Sequence, residues 1–334
     1  MATMLPKQLR KVADRALLKR LETGLEQVEL TLEAAVSHTD PIASVTARHL
    51  SSAGGKRIRP TLVLLAAQFG DATLQPVIDA AVVVELTHLA TLYHDDVMDD
   101  APMRRGVPTA HEIWGNSVAI LTGDLLFARA SQVVSRLGSK ALTLQADTFE
   151  RLCLGQLHET VGPQNNEDPI AHYIQVLADK TGSLIAAAAE LGIMFSGAPD
   201  EYREPMRLYG EKIGVAFQLI DDVIDIYSDG ETSGKTPGTD LLAGVPTLPI
   251  LYLRKHAVSD AASAELLATI DAGLDEASLP AVVAALREHP ATAEAYEEAK
   301  RWADDAVADI AVLPEGSIKQ ALTAFAAAVV DRQQ

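Results

Sequence analysis

Two five-residue stretches, Asp95-Asp96-Val97-Met98-Asp99 and Asp221-Asp222-Val223-Ile224-Asp225, carry the clearest chemical signal in the chain. In each, the first and last aspartates are four apart, so on a helix their carboxylates stand one above the other on one face. Like charges at that spacing repel, and a divalent cation reverses the sign of the interaction. Hard carboxylate oxygens suit Mg²⁺, which keeps waters and bridges a few carboxylates to phosphate groups. A solvated surface would explain one such cluster. With 25 aspartates in 334 residues, however, chance supplies only about 0.14 copies per chain. Two copies are present, each near the end of an apolar helical stretch (Ala80-Ala81-Val82-Val83-Val84 before one, Val215-Ala216-Phe217 before the other). By contrast, Asp304-Asp305-Ala306-Val307-Ala308-Asp309 has another spacing and reads as surface.

Cations gather around these acids although the whole chain has 28 Lys+Arg against 46 Asp+Glu, a net charge of −18. Lys56, Arg57 and Arg59 follow Gly54-Gly55, Arg104-Arg105 follow the first aspartate motif, and Lys180 and Lys235 flank the second. Guanidinium groups hold phosphate oxygens bidentately and glycine lets backbone approach, so this company points to phosphate, enough for two diphosphates. His88 reads as a phosphate hydrogen-bonder, a general base or a satisfied core histidine.

The elements that must position these groups are helices. Periodicity predicts helices near 8–37, 42–53, 57–70, 75–100, 116–138, 140–161, 168–196, 201–229, 246–256, 260–272, 278–289, 292–311 and 315–332. No two-residue alternation lasts long enough to predict a strand. The expected fold is one all-α domain over 1–334, with 1–30 an N-terminal helix less firmly placed. Two stretches depart from helix and short turn: Ser51–Pro60, and 228–246 with its four Gly and two Pro, which reads as a mobile loop. The single Cys153 excludes a disulfide scaffold and suits a reducing, cytoplasmic setting. The acidic balance argues against nucleic-acid binding. No secretory signal is recognisable, and nowhere do 18 apolar residues run without a charge, so no spanning helix is expected; peripheral contact with a bilayer is left open.

GGKRIRP, LYHDDVMDDAPMRRG, KTG, FQLIDDVID and GKTPGTD together resemble the trans-isoprenyl diphosphate synthases, and within them the long-chain polyprenyl diphosphate synthases. The motifs occur in the family's order and the resemblance runs from about residue 30 to 330. It implies an isoprenoid-synthase-type helical bundle around a central cavity, usually a homodimer, with the two aspartate motifs facing each other across the cavity mouth. It implies three Mg²⁺ on an allylic diphosphate: two at Asp95 and Asp99, one at Asp221, with Asp222 and Asp225 supporting. By the same match Arg104, Lys180 and Lys235 grip the allylic diphosphate. Lys56, Arg59, His88 and Arg105 take the diphosphate of isopentenyl diphosphate, and Thr181 and Gln218 lie close to the developing cation. The reaction implied is head-to-tail condensation of the two diphosphates.

The growing tail would run along the helix that carries the first motif, so the residues one turn before Asp95, Ala90 and Thr91, bear on its length. Short-chain relatives tend to carry an aromatic there. Small residues, and a first motif without insertion, resemble enzymes making about C30 to C50 products, and by steric fill leave a deeper tunnel; the same residues could instead pack against a neighbouring helix. A product of that length suggests the side chain of a respiratory quinone. Two departures from the family stand out: Val245 where a lysine is common, and Asp100 where glutamate often follows. Three rivals remain: a short-chain farnesyl or geranylgeranyl diphosphate synthase, a class I terpene cyclase, and a non-catalytic synthase subunit. The cyclase is disfavoured by the full Asp221-Asp222-Asp225 set and an aromatic content of 4%.

Overall fold

The computed structural model describes residues 10, 14–37, 39–164, 166–227 and 237–331. Its helices in chain order begin with α1 (Arg15–Val36), α2 (Pro41–Ser52), α3 (Ile58–Ala66) and α4 (Gln75–Met98). A hairpin of β1 (Met103–Arg104) and β2 (Val107–Pro108) leads to α5 (Ala110–Trp114), α6 (Asn116–Val134), α7 (Ser139–Val161) and α8 (Pro169–Leu177). A π-helical turn, Ala178–Gly182, joins α8 to α9 (Ser183–Ser196), and α10 (Arg203–Tyr227) follows. The rest comprises α11 (Thr239–Leu242), α12 (Leu248–Ala257), α13 (Ala261–Asp271), α14 (Leu279–Glu288), α15 (Pro290–Asp309) and α16 (Ser317–Val330).

Local chemistry explains many of these boundaries. Asp14, Asp40 and Asp260 cap α1, α2 and α13, accepting from Leu17 N, Ala43 N and Ser263 N. Side-chain caps of this kind satisfy amides that the first helical turn leaves without partners. Proline opens α2, α4, α8, α12 and α14, where its missing N–H costs nothing.

The described residues form two compact units interleaved along the chain. One is drawn from the stretch up to Glu150 with Leu184–Gly210 and Asp309–Phe325. Its core helix is α4, buried from Val82 to Thr87 without interruption and packed against α1, α3 and α6. The α1 stripe Leu17, Leu21, Leu25, Val28, Leu32 and Val36 is buried at helical spacing. Buried polar groups in this unit are paired across elements: Gln145 Nε2 donates to Thr87 Oγ1 at 2.8 Å, and Tyr209 Oη to the Leu322 carbonyl at 2.7 Å. The other unit comprises Arg151–Ser183, Glu211–Ala308 and the residues from Ala326 on. Here α12 packs on α13 and α8, and α15 buries alanines at 291, 295, 299, 303 and 306, small side chains that let helices approach closely.

The helix expected over 168–196 is present from Pro169 to Ser196, with the π turn inside it. The sequence reading needs two corrections. The 100–116 connection holds a two-stranded hairpin and α5, against the expectation of no strand. Within the loop expected over 228–246, residues 239–242 form α11, while 228–236, and Lys235 with them, lie outside the described residues. By length and composition α4 and the run from Asn116 to Leu137 could each cross a bilayer, but most of the apolar stretch of α4 is buried within the fold. Burial of that extent marks the core helix of a folded unit.

Candidate active site

In the first unit the site is built around one buried carboxylate, Glu85 on α4. Its Oε1 accepts from Arg57 Nη1 at 2.7 Å and lies 3.8 Å from Arg105 Nη2, and its side chain is 2% exposed. Arg57 is also bound to Glu29 Oε1 at 2.6 Å and to the Ser51 carbonyl at 3.1 Å. Burial alone would lower the Arg57 pKa, but the bonds and charges of Glu29 and Glu85 outweigh it and the value is raised. Arg57 is therefore committed to holding the loop. Gly54 and Gly55 turn the chain with φ of +94° and +148°, and a Cβ on Gly55 would come within 3.0 Å of Arg105 Cζ. Glycine is needed there for both conformation and space.

Arg105 sits at the hairpin turn with φ 53° and donates to the carbonyls of Leu50, at 2.9 Å, and Gly54. Its pKa is lowered, first by burial and then by the neighbouring charges of Arg57 and Arg104, against the pull of Glu85. Arg59 is brought down to about 10, chiefly by burial, and its Nε has no hydrogen-bond partner. His88, half-buried one helical turn after Glu85, is held well below 6.5 by burial and by Arg59, Arg105, Arg104 and Arg57. It is a neutral ring among arginines, which suits donation of one N–H to an anion better than proton abstraction. These residues set three guanidinium groups and a neutral ring about the buried Glu85 carboxylate. Lys56, exposed, lies on the same segment.

The first aspartate motif ends α4. Asp95 is half-buried and Asp99 exposed, with the Asp99 amide closing the helix on the Asp95 carbonyl at 2.8 Å. Carboxylates in a last helical turn face the negative end of the helix dipole, so they add no stability there without a cation. Asp96 turns inward instead: its Oδ1 accepts from Arg104 Nε at 2.6 Å, and burial raises its pKa despite that pairing. Arg104 is thus held by the second aspartate of the motif. One turn before Asp95, Ala90 is fully buried, and half-buried Thr91 bonds back to the His88 carbonyl at 2.8 Å. Tyr93 is turned toward α2, where its hydroxyl meets the Thr46 carbonyl and the Leu50 amide.

In the second unit the other motif ends α10. Asp221 and Asp225 are half-buried, and the Asp225 carboxylate accepts from the amides of Thr239 at 3.2 Å and Asp240 at 3.1 Å, starting α11. Asp222 is buried, with Oδ2 bonded to Tyr173 Oη at 2.6 Å and 3.5 Å from the Leu248 amide. Burial holds its pKa well above 3.8, with the charges of Asp240 and Asp221 adding to the effect. That carboxyl braces α8, α10 and α12 from the inside. Gln218 lies half-buried one turn before Asp221. Lys180 and Thr181 sit on the π turn, where Lys180 Nζ pairs with Glu159 and Thr181 is 9% exposed. Arg151 fixes the turn through Asp179 and Glu211, each at 2.7 Å. Gly155 lets α7 approach it, since a Cβ there would lie 2.5 Å from the Lys180 amide nitrogen. A π turn widens a helix by one residue and is common at functional sites. Val245 is exposed on the segment after α11.

Sequence reasoning missed Glu85, Glu29, Arg151 and Tyr173. Only Glu85 carried a visible signal, as the one acid inside Val82-Val83-Val84-Glu85-Leu86-Thr87.

The carboxylate donors fit a hard divalent ion: all are oxygens, and both motifs close long helices at the electronegative end. Among solved structures, geranylgeranyl pyrophosphate synthase from Corynebacterium glutamicum, complexed with calcium and isoprenyl diphosphate, is 43% identical with a TM-score of 0.86, covering 96% of this chain and 98% of that one. A decaprenyl diphosphate synthase from Rhodobacter capsulatus is 31% identical with a TM-score of 0.85, covering 96% and 99%. The fold is thus the all-α isoprenoid-synthase bundle. Nonaprenyl diphosphate synthase of Mycobacterium tuberculosis is 43% identical over 96% of both chains. Residues 40–288 match the polyprenyl synthetase family, and the chain belongs to that family of prenyltransferases.

Two predictions follow from the arginine cluster. Glu85→Gln removes the buried carboxylate that Arg57 shares with Glu29 and that lies near Arg105, and should cost about 3–5 kcal/mol in a urea melt; an unchanged midpoint would show that Glu85 is not the anchor. For His88, the folded value lies well below the unfolded 6.5. Between them the unfolded chain takes up a proton that the folded chain does not, so stability falls as pH drops below 6.5. His88→Gln should flatten the slope of stability between pH 7 and 5, and an unaltered slope contradicts the buried, neutral ring.

Proposed function

We propose that the protein condenses isopentenyl diphosphate with an allylic diphosphate, head-to-tail and with Mg²⁺, to make an all-trans-polyprenyl diphosphate of about C30 to C50. The observation that supports this reading is that two long helices each end in an aspartate motif and that, in the first unit, Arg57, Arg59 and Arg105 gather around Glu85. In the reaction the allylic C–O bond ionises to diphosphate and a delocalised carbocation. The terminal alkene of isopentenyl diphosphate attacks it, and a proton passes to the released diphosphate. Mg²⁺ held by Asp95, Asp99, Asp221 and Asp225 would neutralise charge on the leaving diphosphate. Arg59, Arg105, neutral His88 and Lys56 bind the diphosphate of isopentenyl diphosphate, and Lys180 exchanges Glu159 for a phosphate oxygen. Asp222 supports from within through Tyr173.

Product length is argued from Ala90 and Thr91, which place no aromatic floor one turn before the first motif, and from likeness to a nonaprenyl diphosphate synthase. A second reading, a shorter product, is favoured by the equal identity to a geranylgeranyl pyrophosphate synthase. The long-chain reading suits quinone side-chain synthesis in the cytoplasm, with slow product release eased at a bilayer. A homodimer accords with large apolar side chains left exposed on α6 and α7, including Leu121 at 64% and Leu142 at 46%.

Asp95→Ala and Asp221→Ala should each abolish Mg²⁺-dependent incorporation of labelled isopentenyl diphosphate while leaving the melting curve of the metal-free protein in place. Loss of folding in either variant would make these carboxylates structural. Ala90→Phe, a small-to-large change at a fully buried site costing about 1–3 kcal/mol, should shorten the product. An unchanged chain length in a folded variant would remove Ala90 from the tunnel.

A further inference from the structure

Outside the two aspartate motifs, Asp100, His111 and Glu112 converge. Each offers one ligand atom, and these atoms all lie within 4.8 Å of one another. Asp100 follows the cap of α4 with a left-handed φ of 49°, and His111 and Glu112 are consecutive residues of α5. The chain between them is already folded back on itself: the Thr109 amide donates to the Pro102 carbonyl at 3.1 Å and its hydroxyl to that of Ala101 at 2.7 Å.

The second observation concerns the imidazole. The His111 side chain is 4% exposed, yet neither ring nitrogen has a hydrogen-bond partner. Its Nε2 points between two carboxylates, 3.7 Å from Asp100 Oδ1 and 3.6 Å from Glu112 Oε1. Those distances are too long for hydrogen bonds. They are close to the ~3.4 Å that separates two ligand atoms sharing one tetrahedral zinc-sized ion. The unpartnered Nε2 calls for an explanation, and a shared cation supplies one for it while neutralising two carboxylates.

We propose that Asp100, His111 and Glu112 form a further metal site, for a divalent transition ion of the Zn²⁺ class, separate from the Mg²⁺ carboxylates. The imidazole sets the chemistry: nitrogen with carboxylate suits Zn²⁺ or Co²⁺, whereas Mg²⁺ prefers oxygen alone. Bound there, the ion clips together the two ends of the segment that carries the Arg104–Arg105 hairpin. It holds that hairpin in place without touching substrate. The remaining coordination positions fall to water, since Asp100 and Glu112 are exposed.

The test uses the full chain in millimolar Mg²⁺, which fills the oxygen sites, and Co²⁺ as a spectroscopic probe. The expected result is one Co²⁺ per chain that Mg²⁺ does not displace, with a visible d–d band typical of mixed nitrogen and oxygen ligation. Asp100→Asn and His111→Gln should each weaken this binding tenfold or more. Asp100 is 97% exposed, so its variant keeps the test valid if the buried His111 change harms folding. The proposal is overturned if no Co²⁺ binds in the presence of Mg²⁺. It is equally overturned if the tight Co²⁺ survives in a folded Asp100→Asn or His111→Gln protein, or is lost in Asp95→Asn and not in these two.

Discussion

The charge on Glu85 is the constraint on which the first unit depends. Glu85, buried on the core helix, compensates Arg57 together with Glu29, lies 3.8 Å from Arg105, and its field reaches Arg59. Arg59 is depressed to about 10 and Arg105 is lowered as well, both chiefly by burial, and His88 beside them stays neutral. A protein with a net charge of −18 thus gathers Arg57, Arg59 and Arg105, from other elements, around one residue of its core helix. An anion held beside these groups would offset part of that burial cost, and a low-dielectric setting would strengthen the contact.

The aspartate helices present the opposite imbalance. Each motif places acids in the last two turns of a long helix, where mutual repulsion opposes them and, for those nearest the end, the helix dipole does too. Not every aspartate plays the same part. Asp96 and Asp222, the second members of the two motifs, turn inward to Arg104 and to Tyr173, and burial raises the pKa of both. The repeated Asp-Asp pair therefore combines one outward carboxylate with one that braces the neighbouring element. In the second unit the bracing extends to the π turn, which Arg151 pins through Asp179 and Glu211 so that Lys180 and Thr181 are presented together.

The parts legible in the sequence were those with a period or a repeat. The four-residue spacing of Asp95 and Asp99, recurring at Asp221 and Asp225, survives as two helix ends, and the helical periodicity located nearly every long helix. What escaped has no such signature. A π turn adds one residue to a helix and shifts the pattern too little to read, so 168–196 looked continuous. A hairpin with two residues per strand offers no alternation, and α11 arises because Asp225 accepts two amides from a distant segment. Arg57 looked like its neighbours Lys56 and Arg59 in sequence; only burial and two carboxylates from other helices separate its role. The partners Glu29, Arg151 and Tyr173 are ordinary charged and aromatic residues whose meaning is wholly tertiary.

Product length is the measurement that bears most directly on the account. The purified protein would be given Mg²⁺, labelled isopentenyl diphosphate and farnesyl or geranylgeranyl diphosphate, and the dephosphorylated products separated by carbon number. The account predicts a ladder ending at about C30 or beyond, with no products in the absence of metal. A stop at C15 or C20 would contradict the reading of Ala90 and Thr91, and no incorporation at all with metal and both primers would contradict the account of the site itself.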